Sequence, residues 1–116
     1  MNMSIDTLES GTRCIRLVGR LDIAGMQAVD LQFTSHVAGG KQSVLVDIAG
    51  VDFIASIGIR MLFTNARTLA LHGARMILVR PQPIVEQTLR LAGVDSMAPI
   101  QHDLALADQL LATGRN

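Results

Sequence analysis

The sequence has no tryptophan, no tyrosine and only three phenylalanines among 116 residues. An aromatic platform for stacking bases is therefore excluded. An excess of either charge is also missing. Ten basic residues balance ten acidic ones, which removes the electrostatic footprint of a protein that grips nucleic acid through its phosphates. One cysteine, Cys14, excludes a disulfide within the chain and a cysteine-based zinc cluster. It lies in the apolar run Cys14-Ile15-Arg16-Leu17-Val18 and reads as a small buried hydrophobe. No apolar stretch reaches the roughly 18 to 20 residues of a membrane span. The start, Met1-Asn2-Met3-Ser4-Ile5-Asp6, lacks the basic-then-apolar profile of a signal peptide, so the expected compartment is the cytoplasm.

The chemistry of an enzyme is missing too. His36, His72 and His102 stand apart, each without a ligand-like neighbour, and are expected at helix ends or in loops. There is no His-x3-His, no His-Glu-x-x-His, no Gly-x-Ser-x-Gly elbow and no glycine-rich phosphate loop. The carboxylates are scattered, with no pair placed for acid–base work. The expectation is a binding module, not an enzyme, with no catalytic residue, no metal site and no cofactor of its own.

What is present is a dense apolar pattern. Hydrophobic residues make up 49% of the chain and charged residues 17%, the composition of one folded domain spanning residues 1–116. A chain of this size buries roughly two-thirds of its unfolded surface. Arg13–Val18 reads as a strand, paired across the turn Glu9-Ser10-Gly11-Thr12 with another strand in the first nine residues. Met26, Val29, Phe33 and Val37 share one face of a helix that Gly39-Gly40 stops. Ser43–Ile48 is a nearly continuous apolar strand, as expected of a central one. A loop is expected over Gly50–Ala55. A second helix then runs from Ser56, with Ile59, Leu62, Phe63, Ala66 and Ala70 on one face and His72-Gly73 at its end. Arg75–Val79 is another strand. Pro83 opens a helix with Val85, Leu89 and Ala92 on its apolar stripe. Met97–Ile100 is expected as a short edge strand. Asp103 caps a last helix carrying Leu104, Ala107 and Leu111. Strands and helices alternate, so the expected fold is an α/β domain. Its mixed, mostly parallel sheet has about four to five strands, with about four helices packed on it.

The informative stretch runs from Val44 to Leu62, where a buried strand leads through Ile54-Ala55-Ser56-Ile57-Gly58-Ile59-Arg60 into a helix. Ser56 reads as the N-cap, its hydroxyl accepting a backbone N–H two or three residues on. Ile54, Ile57 and Ile59 surround it, and three isoleucines beside a helix start cannot all face one core. Gly58, in the first turn, costs about 1 kcal/mol relative to alanine and lets another backbone approach closely. A serine on an apolar, small-residue rim suits both docking and phosphorylation. A phosphate adds about −1.5 to −2 charge, which the N–H groups and dipole of a helix start tolerate but an apolar contact does not. Arg60 lies one turn on, at i+4, and reads first as an exposed helix charge; the alternatives are an interface contact beside Ser56 and a partner for a phosphate on it.

With these motifs the chain resembles the STAS domain family and, within it, the bacterial anti-sigma factor antagonists. The resemblance is carried by Gly19-Arg20-Leu21-Asp22, Leu45-Val46-Asp47, Ala55-Ser56-Ile57-Gly58-Ile59, Leu91-Ala92-Gly93-Val94 and the last helix with Asp103 and Ala107. It implies a STAS-like fold and a partner switch. In such a switch the unphosphorylated antagonist binds an anti-sigma factor that is also a GHKL-type serine kinase. Phosphorylation, here at Ser56, breaks the complex, and a metal-dependent serine phosphatase resets it. ATP and metal belong to those partners. The resemblance also brings Asp22 and Ile23 into the partner surface, beside Ile54, Ala55, Ser56, Ile57, Gly58, Ile59 and Arg60. Two positions depart from the family pattern. Ala55 stands where aspartate is usual, and Ile57 where serine or threonine is frequent. The missing carboxylate removes a contact to kinase or phosphatase, and also a like charge beside a phosphate. A second implication is a fixed STAS subunit, an accessory of a lipid transporter or a stressosome-like assembly, in which Ser56 only caps its helix.

Overall fold

The computed structural model describes residues 1–113. Five strands, β1 (Asn2–Thr7), β2 (Arg13–Leu21), β3 (Val44–Ile54), β4 (Met76–Val79) and β5 (Ile100–Gln101), form one sheet in chain order. β1 is antiparallel to β2 and every later pair is parallel. The parallel steps are made by helices α1 (Ile23–His36), α2 (Ser56–Leu71) and α3 (Pro83–Leu91), and α4 (Leu104–Thr113) ends the described chain. Parallel crossovers are right-handed. Because this sheet never reverses its order, all three crossover helices fall on the same face, and only α4 is free to cover the other.

The core follows that division. Ile15, Leu17, Val44, Val46, Ile48, Met76 and Leu78 face α1, α2 and α3, where Val29, Phe33, Leu62, Leu69, Val85 and Leu89 meet them. Cys14, Leu45, Ile77 and Val79 alternate to the other side and pack on Ala107 and Leu111 of α4. All five residues from Val44 to Ile48 are buried, as a strand covered on both faces requires. Burial raises the Cys14 thiol above its ordinary pKa, and the Asp47 carboxylate adds to it.

Most of the predicted elements form where expected, with informative differences. β2 and β3 both outrun their predicted ends. The stretch expected to be a loop from Gly50 is strand as far as Ile54, because β2 continues beside it: Val18 pairs with Gly50, Gly19 with Val51 and Leu21 with Ile54, across two register shifts. On α2 the buried stripe is Gly58, Met61, Leu62, Asn65, Ala66 and Leu69. Ala70 is exposed, and Ile59 and Phe63 are half-buried, so the helix is rotated from the predicted face. Ala92, the C-cap of α3, is exposed as well. The expected strand Met97–Ile100 shrinks to Ile100–Gln101. A 3-10 turn at Val94–Ser96 takes the preceding residues, with Met97 and Ala98 donating to the Val94 carbonyl at 3.0 and 2.8 Å.

Candidate functional site

The candidate site lies where β2 and β3 end and α1 and α2 begin. Asp22 caps α1: its Oδ1 accepts the Gly25 N–H at 2.9 Å. That bond, with Arg20 Nε at 3.3 Å from Oδ2, holds the carboxyl below its ordinary pKa. The two strand ends are tied together by Ala55 N–H donating to the Leu21 carbonyl at 2.9 Å. Gly58 lets them come this close. A Cβ there would stand 2.6 Å from Leu21 Cγ and 2.8 Å from its carbonyl oxygen, closer than packed atoms tolerate. The glycine in the first helical turn therefore serves the approach of α2 to β2.

Ser56 is not the cap. Ala55 occupies the N-cap position with extended backbone and, having no polar side chain, makes no capping bond, and Ser56 is the first helical residue. An N-cap needs β-region dihedrals, and these fall one residue earlier than the serine in the sequence suggests. The Ser56 hydroxyl is thereby released to the surface, where the residue is exposed. Gly58 and Ile59 donate to the Ala55 carbonyl at 2.9 and 3.0 Å. The N–H groups of Ser56 and Ile57, at the very start of the helix, lie beside the hydroxyl with no acceptor in the helix itself.

Ile23, Ala55, Ser56, Ile57 and Arg60 line one shallow, largely apolar groove. Ile23 is 63% exposed, a large apolar side chain left in water. The remaining candidates divide. Asp22 sits half-buried at the edge of the site. Ile54 and Gly58 are buried, and Ile59 is half-buried against the core. Of the three isoleucines around Ser56, Ile57 is the one that turns to the groove. Ile54 and Gly58 can act on a partner only by holding the rim in place.

Three neighbouring features escape a linear reading. Arg20 lies over the Phe53 ring at 4.3 Å while it pairs with Asp22, making a cation–π edge beside the groove. Nothing in the sequence brings residues 20 and 53 together except the strand extension that pairs them. Second, Ile57 and Arg60 also border a groove between α1 and α2, lined by Met26, Asp30 and Thr34 among others. There Asn65 is 3% exposed and donates to the Met61 carbonyl at 2.9 Å and to Thr34 Oγ1 at 3.3 Å. Third, Asp47 is buried on the α4 side of the sheet, where it accepts from Arg80, from Arg16 at 3.3 Å and from the Ala49 N–H at 3.0 Å. Burial raises its pKa, but the Ala49 N–H and the two guanidinium groups outweigh burial and hold it below the ordinary value. Arg80 reaches it with φ +57, a left-handed backbone at the end of β4.

Among the described residues no three His, Cys, Asp or Glu side chains group to hold a metal ion, and no helix is long and apolar enough to cross a membrane. His36 ends α1 and His72 caps the end of α2. His102 faces Glu86 with Nε2 at 2.9 Å.

Known proteins share this fold. The candidate anti-sigma factor antagonist BtrV of Bordetella bronchiseptica is 23% identical over 100 residues, spanning 86% of this chain and 85% of that protein. The crystal structure of an anti-sigma factor antagonist from Mycobacterium paratuberculosis superposes with a TM-score of 0.84 at 19% identity, over 96% of this chain and 93% of the other. The Bacillus cell fate determinant SpoIIAA in its phosphorylated form superposes at 0.70 and 18% identity, over 94% and 99% of the two chains. At such identities the superpositions speak for the fold alone. The model of the STAS domain matches residues 5–107, nearly the whole length, and the chain belongs to the STAS domain family.

Proposed function

We propose that the chain is an anti-sigma factor antagonist that works by partner switching from the Ser56 groove. The observation that carries this reading is the position of Ser56. Its exposed hydroxyl stands at the first residue of α2, inside a groove with Ile23, Ala55, Ile57 and Arg60. Unmodified, the groove offers apolar surface to an anti-sigma factor of the GHKL serine-kinase type. Phosphorylated, it presents a charge of about −1.5 to −2 where the partner needs apolar contact, and burying an unpaired charge is costly. The helix N–H groups and Arg60 accommodate the phosphate in the free protein, so the fold survives while the interface does not. A metal-dependent serine phosphatase restores the hydroxyl, and the exchange takes place in the cytoplasm. The chain itself performs no chemistry; ATP and metal are the partners'. The relatives named as antagonists, and the solved phosphorylated form of SpoIIAA, support the reading.

The test is intact mass of the protein isolated from its own cells, with and without phosphatase treatment, followed by site mapping. The expected result is an increment of about 80 Da, one phosphoryl group, that maps to Ser56. A protein unmodified under every growth condition overturns the switch. Ala55, in place of the family's usual aspartate, supports a second reading as a fixed subunit of a larger STAS assembly. That reading predicts the unmodified outcome, with Ser56→Asp and Ser56→Ala binding alike.

A further inference from the structure

The two edges of the sheet differ. β5 closes one with two residues, and β1 closes the other with six, Asn2–Thr7. β1 holds an unbroken antiparallel register with β2, from Asn2 opposite Val18 to Thr7 opposite Arg13. Among the described residues its backbone bonds to β2 alone. One antiparallel neighbour uses the N–H and C=O of every second residue, so the alternate groups of β1 form an open row along the edge. Natural sheets blunt such an edge with lysine, proline, a bulge or a very short strand. β1 has none of these. Its one charged side chain, Asp6, is answered within the chain by Arg16 Nη1 at 3.3 Å. Met3 and Ile5 pack against the core but are only half-buried, which leaves apolar flank in water beside the open row.

The residues of β1 are complementary to themselves. We propose that β1 pairs antiparallel with β1 of a second copy of this chain, joining the two sheets edge to edge. A twofold axis normal to the sheet keeps both helix layers on one side and sets one residue opposite itself. With Ser4 on that axis, Met3 meets Ile5 of the second copy and Asn2 meets its Asp6. Apolar pairs then lie on the core face and amide–carboxylate pairs on the other, with no like charges opposed. An axis at Ile5 sets Met3 against Thr7, and an axis at Met3 leaves Asp6 unpaired, so Ser4 gives the longest matched ladder. The flanks of Met3 and Ile5 gain apolar neighbours. The same axis turns the parallel strands of the second copy the opposite way. The two Ser56 grooves therefore lie at opposite ends of the joined sheet and stay uncovered, and the pairing does not depend on the partner switch.

The test is sedimentation velocity of the full chain from low micromolar to near-millimolar concentration. The expected result is a mass that climbs from the 12.5 kDa of one chain toward twice that value. Ser4 is exposed, and Ser4→Lys sets two ammonium groups on the axis. It is expected to weaken association roughly tenfold or more, because like charges facing across an interface repel. Its Tm should stay within about 2 °C of the parent, as for other surface substitutions. Cross-linking fixes the register independently. Residues opposed across antiparallel strands hold their Cβ atoms about 4.5–5.5 Å apart, near the span of a disulfide. Mild oxidation should therefore link Ser4→Cys into a dimer and leave Asn2→Cys largely unlinked, since Asn2 meets Asp6 and not itself. A single chain at every concentration, a dimer unaffected by Ser4→Lys, or equal cross-linking of the two cysteine variants overturns the proposal.

Discussion

At the Ser56 end of α2 a hydroxyl stands among Ile23, Ala55 and Ile57; at the His72 end, Arg13, Lys41 and Ser43 surround a polar hollow. The helix between them has 16 residues, about 24 Å at 1.5 Å per residue. Both ends rest on the same sheet, one on the C-terminal edge of its parallel strands and the other on the N-terminal edge. The apolar end suits a broad protein surface and is vulnerable to one added charge. The other end is polar and already carries the charges of Arg13 and Lys41. A change at one end is therefore informative only when the other is measured beside it.

The largest expected effect is at Ser56. Ser56→Asp places a carboxylate in the apolar groove and, if the proposed kinase-type partner docks there, is expected to weaken its binding by roughly a hundredfold. Ser56→Ala should bind within about threefold of the parent, since it removes a hydroxyl and adds no charge. Lys41→Gly, at the far end, should leave that affinity unchanged. Calorimetric titration of each variant into the partner measures all three. Loss of binding in Lys41→Gly would mean that the two ends are not independent.

Next is Gly58→Ala, which drives a methyl group into Leu21 and its carbonyl. Overpacking of this kind costs about 1–3 kcal/mol, a fall of several degrees in Tm for a domain of this size. Gly73→Ala is the comparison at the other end of the helix. Gly73 has φ +74 but open space around its Cβ position, so the expected loss is backbone strain alone, about 1 kcal/mol. Thermal melts that rank the pair the other way would contradict the packing of α2 on β2.

The two glycines also show what a linear reading can and cannot reach. The alternation of strands and helices is written in local periodicity, and the cap Asp103 lies where its residue type predicts, accepting a backbone N–H three residues on. The residues around Ser56 were legible as a rim for the same reason, because apolar and small side chains cluster there in sequence. What was hidden depends on the third dimension. The extension of β3 through Gly50 needs β2 beside it. The rotation of α2 puts Asn65 inward because α1 supplies Thr34. Arg20 meets Phe53, and Arg13 meets Gly40, only after the sheet has formed. The N-cap shift from Ser56 to Ala55 has the same origin: the bond from Ala55 N–H to Leu21 sets where the strand geometry stops.

Asp47 supplies an acid test on the α4 side of the sheet, away from both ends. Its folded pKa is depressed, so its contribution to stability is complete above the unfolded carboxyl pKa of about 3.9 and disappears as pH falls through the lower folded value. Asp47→Asn keeps an oxygen for the Ala49 N–H but turns an amide toward Arg16 and Arg80. The expected loss is about 1–3 kcal/mol at pH 7, discounted because both arginines are nearly half exposed and can rehydrate. The difference between parent and variant should narrow below about pH 4 as the parent loses the same interactions. Urea unfolding at pH 7 and at pH 3 measures it. A difference independent of pH would remove Asp47 from the ionised network.

The smallest effect separates the hydroxyl of Ser56 from the cap it was expected to be. Ala55 holds the N-cap dihedrals without a side-chain bond, so Ala55→Asp should supply an acceptor for the open N–H groups and a negative charge at the positive end of the helix dipole. Together these are worth about 0.5–1.5 kcal/mol of added stability. Ser56→Ala should change stability by less than about 0.5 kcal/mol, because an exposed side chain that caps nothing is removed. If Ser56→Ala instead cost about 1 kcal/mol and Ala55→Asp added nothing, the serine would be the working cap. The same Ala55→Asp variant sets a carboxylate beside Ser56, so a phosphate there would meet a like charge. The variant is therefore expected to melt higher unmodified and to lose that gain once phosphorylated, which ties the rise in Tm to the switch at one end of α2 and leaves the basic end untouched.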